Sequence, residues 1–295
     1  MRRRDFIAAA GAAAAANLIG SPSSAGTLDR ASAEFVGVLV NIARCTGCRK
    51  CEEACAEAND LPPPDIRDKS VFDHPRTTGP ARFTVVNRYE TCAGTLYVKR
   101  QCMHCNQPGC AAACLVQAMK KTPSGPVIWR EDRCMGCRYC MISCPFDMPK
   151  FEYDRAVPRI RKCTLCHQRL AREQLPACVT ACPEEALRFG PRRDLLEIAR
   201  ARIYGDPARY VHGVYGEHEV GGTGWLYLSP VPFEQVGLPG GLGTRPYPEL
   251  TQGFLYSVPI ILCLWPAFLL GASRSRGSEG REPPAEADRD PGACE

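Results

Sequence analysis

Cys134-Met135-Gly136-Cys137-Arg138-Tyr139-Cys140-Met141-Ile142-Ser143-Cys144-Pro145 spaces four cysteines by two, two and three residues and follows the last with a proline. Three thiolates on so tight a loop can wrap three corners of an iron–sulfur cubane, with backbone amides turned toward its sulfurs. The fourth corner must come from elsewhere in the chain. Upstream, Cys45, Cys48, Cys51 and Cys55 repeat the same spacing. Two further groups keep the ends of the pattern and stretch its middle. Cys102, Cys105, Cys110 and Cys114 have four residues in the middle gap, and Cys163, Cys166, Cys178 and Cys182 have eleven, the latter again followed by a proline, Pro183.

Taken alone, the stretched groups also fit the paired cysteines of zinc ribbons. Four such groups in one stretch favour clusters. When cluster motifs work in pairs, the last cysteine of each ligates the other's cluster. Cys114 and Cys134 lie close in sequence, with room only for a short helix and a hairpin, so the second and third groups form one unit. The first and fourth then pair around it in a nested order.

On this scheme one ligand set is Cys45, Cys48, Cys51 and Cys182, and its partner is Cys163, Cys166, Cys178 and Cys55. The inner unit joins Cys102, Cys105 and Cys110 with Cys144, and Cys134, Cys137 and Cys140 with Cys114. Every ligand position is a cysteine, which predicts four [4Fe–4S] clusters and no three-iron site. Of the three cysteines left over, Cys92 reads as a buried or incidental thiol, Cys263 as a small apolar residue and Cys294 as a tail residue without a role. His104 and His167 sit beside ligand cysteines, but the cysteine count is already complete without them.

Nineteen cysteines in 295 residues raise the question of compartment, because thiols facing an oxidising environment normally pair. The N-terminus answers it. Arg2-Arg3-Arg4 precedes Asp5-Phe6-Ile7 and an alanine-rich run, and Ser23-Ser24-Ala25 offers a small-residue cleavage site, so residues 1–25 read as a twin-arginine signal peptide. Such signals resemble those of proteins that fold around a cofactor before export. Thiolates committed to metal in the cytoplasm are then protected from disulfide formation.

Near the other end, residues 250–273 carry no charged residue and are rich in Phe, Leu, Ile and Trp, long enough to cross a bilayer, which takes about 20 apolar residues. Pro259 and Pro266 are tolerated in such helices; the competing reading is a buried soluble helix. Arg274 and Arg276 follow at once, which places residues 274–295 on the cytoplasmic side and the bulk of the chain on the opposite side, at the periplasmic face of a bacterial inner membrane. That tail is rich in Pro, Glu, Asp and Gly and reads as disordered. The net charge of +5 is too modest to suggest a nucleic-acid partner.

Between the cysteines the elements are short. Phe35-Val36-Gly37-Val38-Leu39-Val40 reads as a strand entering the first loop, and Val127-Ile128-Trp129 as one before the third, with Ser124-Gly125 as a turn. Leu115 to Met119 and Glu184 to Leu187 read as short helices after cysteine loops. Leu196, Ala199 and Ile203 mark an amphipathic helix. Tyr204 to Pro248 reads as a Gly- and Pro-rich wrapping extension, in which Gly221-Gly222-Thr223-Gly224 and Gly240-Gly241-Leu242-Gly243 are turns rather than phosphate loops. Arg44, Arg49, Lys50, Arg133, Arg138, Arg161 and Lys162 flank the loops, either raising cluster potentials or forming a solvated face. No acid–base or nucleophile constellation suggests an enzyme with its own active site.

With these groups placed, the chain resembles the four-cluster ferredoxin-like electron-transfer subunits of membrane oxidoreductases, which include the beta subunits of formate dehydrogenase, nitrate reductase and dimethyl sulfoxide reductase. Arg100-Gln101-Cys102-Met103-His104-Cys105 and Cys134 to Met141 carry the likeness, which covers Phe35 to Gly190; Ala56 and Leu115 depart from it where proline is usual. With its own twin-arginine signal, Tyr215 to Thr223 and a single C-terminal helix, the chain is most similar to the ferredoxin subunit of the membrane-bound nickel–iron uptake hydrogenase of the hydrogenase-2 type. Formate dehydrogenase and other molybdopterin oxidoreductase beta subunits are the alternative, and a zinc-stabilised, membrane-anchored interaction module is a reading from another class. The resemblance implies an α+β protein of two nested bacterial-ferredoxin-like units over residues 26–190, a long irregular extension over 191–249 and one transmembrane helix. Its implied role is to relay electrons between a catalytic subunit and a quinone-reactive integral membrane subunit.

Overall fold

The computed structural model describes residues 35–278. The signal expected over residues 1–25, the tail beyond residue 278 and Cys294 lie outside the described residues. The strand expected to enter the first loop is β1 (Val36–Asn41). It does not alternate, because it is the middle strand of a three-stranded sheet and its residues from Gly37 on are buried. β8 (Leu187–Pro191) pairs with it antiparallel, from Val36 opposite Pro191 to Val40 opposite Leu187. β9 (Trp225–Leu228) pairs parallel on the other edge, from Val38 opposite Trp225 to Asn41 opposite Leu228. One strand thereby ties the approach to the first cysteine loop to the exit from the fourth.

β9 lies inside the stretch that the sequence presents as irregular. Trp225, Leu226, Tyr227 and Leu228 are all fully buried, so this strand has no polar face and offers no period of two to read. Its approach to β1 is close: Val38 donates its N–H to Gly224 O at 2.9 Å, and a Cβ on Gly37 would stand 2.5 Å from that same oxygen. Only glycine fits there.

The expected amphipathic helix is present over Arg192–Gly205. Its buried stripe is Leu195, Ala199 and Ile203, with Leu196 half-buried at the edge. The stripe packs with Leu39, Tyr210, Val214, Leu226 and Leu228 into one core cluster. Burying a leucine such as Leu195 contributes roughly 1.5–3 kcal/mol.

Two hairpins carry the middle of the chain. β2 (Thr84–Thr91) and β3 (Gly94–Gln101) pair along their whole length. Cys92 sits in the turn between them and is exposed, which removes the buried reading of this thiol and leaves the incidental one. β4 (Met119–Lys121) and β5 (Val127–Trp129) form the second hairpin, turning at Gly125 with φ +122°. The short pair β6 (Lys150–Phe151) and β7 (Ile160–Arg161) follows.

The short helices expected over Leu115–Met119 and Glu184–Leu187 do not form. Gln117 and Glu185 adopt left-handed backbone at φ +53° and +46°, and Met119 and Leu187 already belong to strands. The amides that a helix would use are otherwise engaged: Ala118 N and Met119 N point at Cys114 Sγ, at 3.2 and 3.4 Å.

The last element is a helix over Tyr247–Ser278 that begins a unit of its own. Within it Tyr247–Arg274 has a mean hydropathy of 2.0 and exposed apolar side chains. Among the described residues it alone is long and apolar enough to cross a membrane. Pro259 and Pro266 lie inside the helix and Cys263 is exposed on it.

Candidate metal centre

Every described cysteine is a free thiol. Cys45, Cys48, Cys51 and Cys182 line one cavity, here ring A. Cys55, Cys163, Cys166 and Cys178 line a second, ring B. Ring D, made of Cys114, Cys134, Cys137 and Cys140, lines another. The remaining thiols gather as ring C, in which Cys105 stands within electrostatic reach of Cys102, Cys144 and Cys110. Each ring takes three thiols from one cysteine group and one from another, the membership expected from the spacing.

The rings follow one another in succession, each within electrostatic reach of the next. Cys51 of ring A lies within electrostatic reach of Cys178 of ring B. Cys163 of ring B reaches Cys102 of ring C, and Cys110 of ring C reaches Cys140 of ring D.

A repeated backbone device shapes the loops. The residue just before the second cysteine of each group is left-handed: Gly47 at φ +69°, His104 at +50°, Gly136 at +73° and Leu165 at +53°. Three residues beyond Cys114, Cys144 and Cys182 the same conformation returns at Gln117, Asp147 and Glu185. Left-handed residues flanked by right-handed ones turn successive N–H groups to one concave side, which makes a cradle for negative charge. At Gly47 a Cβ would also stand 2.4 Å from the Tyr97 ring.

Two observations decide what the rings fit. A single zinc ion draws its thiolates to about 2.3 Å from one point; among the described residues no three His, Cys, Asp or Glu side chains are gathered for a single ion. Several buried N–H donors, moreover, lack an acceptor: Trp225 Nε1, Trp129 Nε1 and His104 Nε2. Trp225 lines the cavity of ring B and Trp129 that of ring D, while His104 stands between two thiols of ring C. A cluster that brings its own sulfides supplies acceptors there. The thiol rings and amide cradles thus fit an iron–sulfur cluster better than a lone ion.

The electrostatics point the same way. Burial pushes the Cys45 thiol up to about 11 and the Cys55 thiol up to about 12, so these sulfurs become thiolates only with positive charge beside them. Part of that charge belongs to the protein. Lys99 is buried on β3; its Nζ donates to Thr84 Oγ1 at 2.7 Å and Gln101 Oε1 at 3.0 Å. It lines the cavities of both ring A and ring B. Burial pulls its ammonium down, but the sulfurs of Cys178, Cys51, Cys163 and Cys55 outweigh burial and hold it above its ordinary value. Lys121, whose Nζ donates to His104 O at 3.0 Å, is lowered by burial to about 8. Lys162 is buried and bonds Val127 O and Cys163 O.

The basic residues noted in the sequence therefore divide. Arg49 and Lys162 are buried, whereas Arg44, Lys50, Arg133 and Arg138 are exposed. Arg49 joins Arg76 on the carboxylate of buried Glu52, at 3.1 and 2.6 Å, and Val86 N adds a third donor at 2.6 Å. Glu52 stands in the helix Lys50–Glu57 between Cys51 and Cys55. His104 Nδ1 accepts from Val127 N at 2.8 Å, and burial holds its imidazole well below the ordinary value. His167 opens the short helix His167–Leu170 and lines a surface groove beside Cys166.

Ring D differs from the others in being open. Cys137 is exposed, and next to the ring's cysteines in sequence come Leu115, 88 % exposed, Ile142, 81 % exposed, and exposed Met135 and Tyr139. Lys99, Trp225 and Glu52 were not singled out by the sequence. A lone lysine, tryptophan or glutamate has no spacing signature, and only the fold reveals which cysteines surround it.

A family model described as a 4Fe-4S dicluster domain matches residues 93–192. The chain is 34 % identical over 295 residues to the hydrogenase-2 operon protein HybA of Escherichia coli O157:H7, covering 87 % of this chain and 90 % of that protein. It is 38 % identical over 205 residues to the nitrate-inducible formate dehydrogenase iron-sulfur subunit of Escherichia coli K12, covering 65 % and 67 %. A protein of Nitratidesulfovibrio vulgaris Hildenborough with no descriptive name is 46 % identical over 284 residues, covering 92 % and 76 %.

Proposed function

The chain belongs to the family of 4Fe-4S ferredoxin-like electron-transfer subunits, and from that premise we propose that it carries electrons along four [4Fe–4S] clusters between a catalytic oxidoreductase subunit and a quinone-reactive integral membrane subunit. The ligand sets are rings A, B, C and D, each with three thiolates from one loop and the fourth from its paired loop. The two units are nested, the first and fourth cysteine groups enclosing the second and third. When bound, each cluster supplies one-electron chemistry.

The chain's own residues hold and tune. Thiolates fix the irons, the left-handed turns aim amides at sulfur, and buried lysines offset the negative charge. The unpartnered N–H groups of Trp225 and Trp129, which line the cavities of rings B and D, would donate to the sulfides of a bound cluster. No residue performs bond chemistry on a substrate. The observation that carries this reading is the succession of four thiol rings, because a relay needs adjacent stations whereas a zinc-stabilised module does not.

The catalytic partner is a periplasmic nickel–iron hydrogenase, by way of its small subunit. The support is likeness to a hydrogenase-2 operon protein over nearly the full length of both chains, whereas the formate dehydrogenase subunit is matched over two thirds. A formate dehydrogenase or other molybdopterin oxidoreductase is the second reading, favoured by the slightly higher identity over that shared part. Residues 1–25 are a twin-arginine signal, 26–190 the cluster domain, 191–249 its extension, 250–273 a transmembrane anchor and 274–295 a cytoplasmic tail. The protein thus sits on the periplasmic face of the inner membrane.

Deleting the chain tests this. Membranes lacking it lose hydrogen-dependent quinone reduction and keep formate-dependent reduction. Loss of the formate activity alone transfers the assignment to the second reading, and survival of both overturns the relay.

A further inference from the structure

We propose that Lys99 is a fixed positive charge shared by rings A and B, placed to raise the reduction potentials of both clusters together. The inference rests on the proposed cluster reading and goes beyond it to a residue that touches no iron. Lys99 alone among the lysines lines the cavities of both ring A and ring B, so a single ammonium stands in the wall between two redox stations.

Its surroundings suit an ammonium. Two of its protons are taken by Thr84 Oγ1 and Gln101 Oε1, both neutral acceptors. On another side it stands 4.6 Å from the centre of the Trp225 ring, whose face attracts a cation. The residues around it that bear negative charge are the sulfurs of Cys51, Cys55, Cys163 and Cys178. No ion pair of Lys99 with a carboxylate occurs among the described residues, whereas buried Arg49 and half-buried Arg76 are tied to Glu52. The charge of Lys99 is left to act on the clusters.

The mount is rigid. Gln101, which accepts from Lys99, donates through Nε2 to Tyr227 Oη at 2.7 Å, and Tyr227 Oη donates to Lys99 O at 2.9 Å. This closed circuit joins β3 to the fully buried β9. A cluster that gains one electron becomes more negative by one charge with no proton placed, so a fixed cation nearby favours the reduced form. Because Lys99 faces both rings, its charge raises the two stations together and leaves the step between them largely unchanged.

The test is an anaerobic potentiometric titration, followed by electron paramagnetic resonance, of the full-length cluster-loaded protein and of Lys99→Met, Lys99→Gln and Lys99→Arg. In the two neutral variants, two of the four one-electron steps move negative, the reduced-to-oxidised ratio at a fixed potential falling by about tenfold or more, which is 59 mV for a one-electron couple. The other two steps stay in place. Lys99→Arg, which keeps the charge, stays within about threefold of the native ratio.

Four unmoved steps in a neutral variant with native iron content overturn the proposal, as does a Lys99→Arg shift as large as that of Lys99→Met. If Lys99→Met fails to load, Lys99→Gln decides. If neither neutral variant loads rings A and B while Lys99→Arg does, the charge serves assembly rather than potential, and the proposal falls. The cluster reading fails separately, on the iron content of the native chain.

Discussion

Ring A and ring D are built from the same cysteine spacing, and rings A and B end in surroundings opposite to those of ring D. The first pair lies behind a three-stranded sheet, beside buried Lys99, Trp225 and Glu52. Ring D lies beside the short β4–β5 hairpin, with exposed Cys137 and a rim of exposed Leu115, Met135, Tyr139 and Ile142. The difference teaches that the cysteine pattern sets ligation while its wrapping sets the role of each station. Rings A and B have buried charge in their walls, where Lys99 lines both cavities. Ring D is left open beside exposed apolar side chains of the kind that mark interaction surfaces.

The comparison breaks most directly at the thiols. Cys178→Ser, in the buried pair, prevents stable accumulation of the loaded chain, whereas Cys137→Ser leaves a folded protein that has lost one station and retains about twelve irons. Iron determination on the purified variants checks this, and equal losses in both would erase the distinction between a closed and an open end.

Charge gives the next largest contrast. Glu52→Ala leaves Arg49 and Arg76 buried without their carboxylate and costs roughly 3–5 kcal/mol, because an uncompensated buried charge remains. Glu131→Ala, which removes a surface partner of Arg159 near the inner unit, costs no more than about 1 kcal/mol. Denaturant midpoints for the loss of visible cluster absorbance compare the two.

Packing sharpens it further. Leu195→Ala opens a cavity beneath the sheet and destabilises by roughly 2–5 kcal/mol, while Ile142→Ala on the rim stays within about 0.5 kcal/mol of native. The smallest effect is confined to the rim. Leu115→Asp combined with Ile142→Asp leaves iron content and potentials intact and slows electron exchange with the membrane partner by about tenfold, about 1.4 kcal/mol. Rapid-mixing kinetics on the assembled complex measure it.

Much of the candidate site was legible in advance for a specific reason. A cubane loop needs three thiolates within a few residues, so Cys45 to Cys55 and Cys134 to Cys144 announce themselves in linear sequence. Val127–Trp129 and the helix from Arg192 were legible because their patterns match a strand and a helical stripe. β9 was not, since a strand buried on both faces has no alternation and its Gly- and Pro-rich flanks suggest a loop. The turns after Cys114 and Cys182 read as helices in the sequence because local composition does not reveal the left-handed Gln117 and Glu185, nor that the amides after Cys114 bend toward its sulfur. Lys99 shows the general limit: its neighbours Cys51, Cys55, Cys163 and Cys178 come from the first and fourth cysteine groups, more than a hundred residues apart, and its importance arises only where the fold brings them together.

The central claim is that sixteen thiolates, lent crosswise between paired loops, hold four cubanes in a row. Iron, acid-labile sulfide and zinc measured together on the anaerobically purified full-length chain test it most directly. The account predicts about sixteen irons and about sixteen sulfides per chain, with zinc absent and the protein brown. About eight irons or fewer, or a colourless protein holding zinc with its remaining thiols oxidised in pairs, would contradict it.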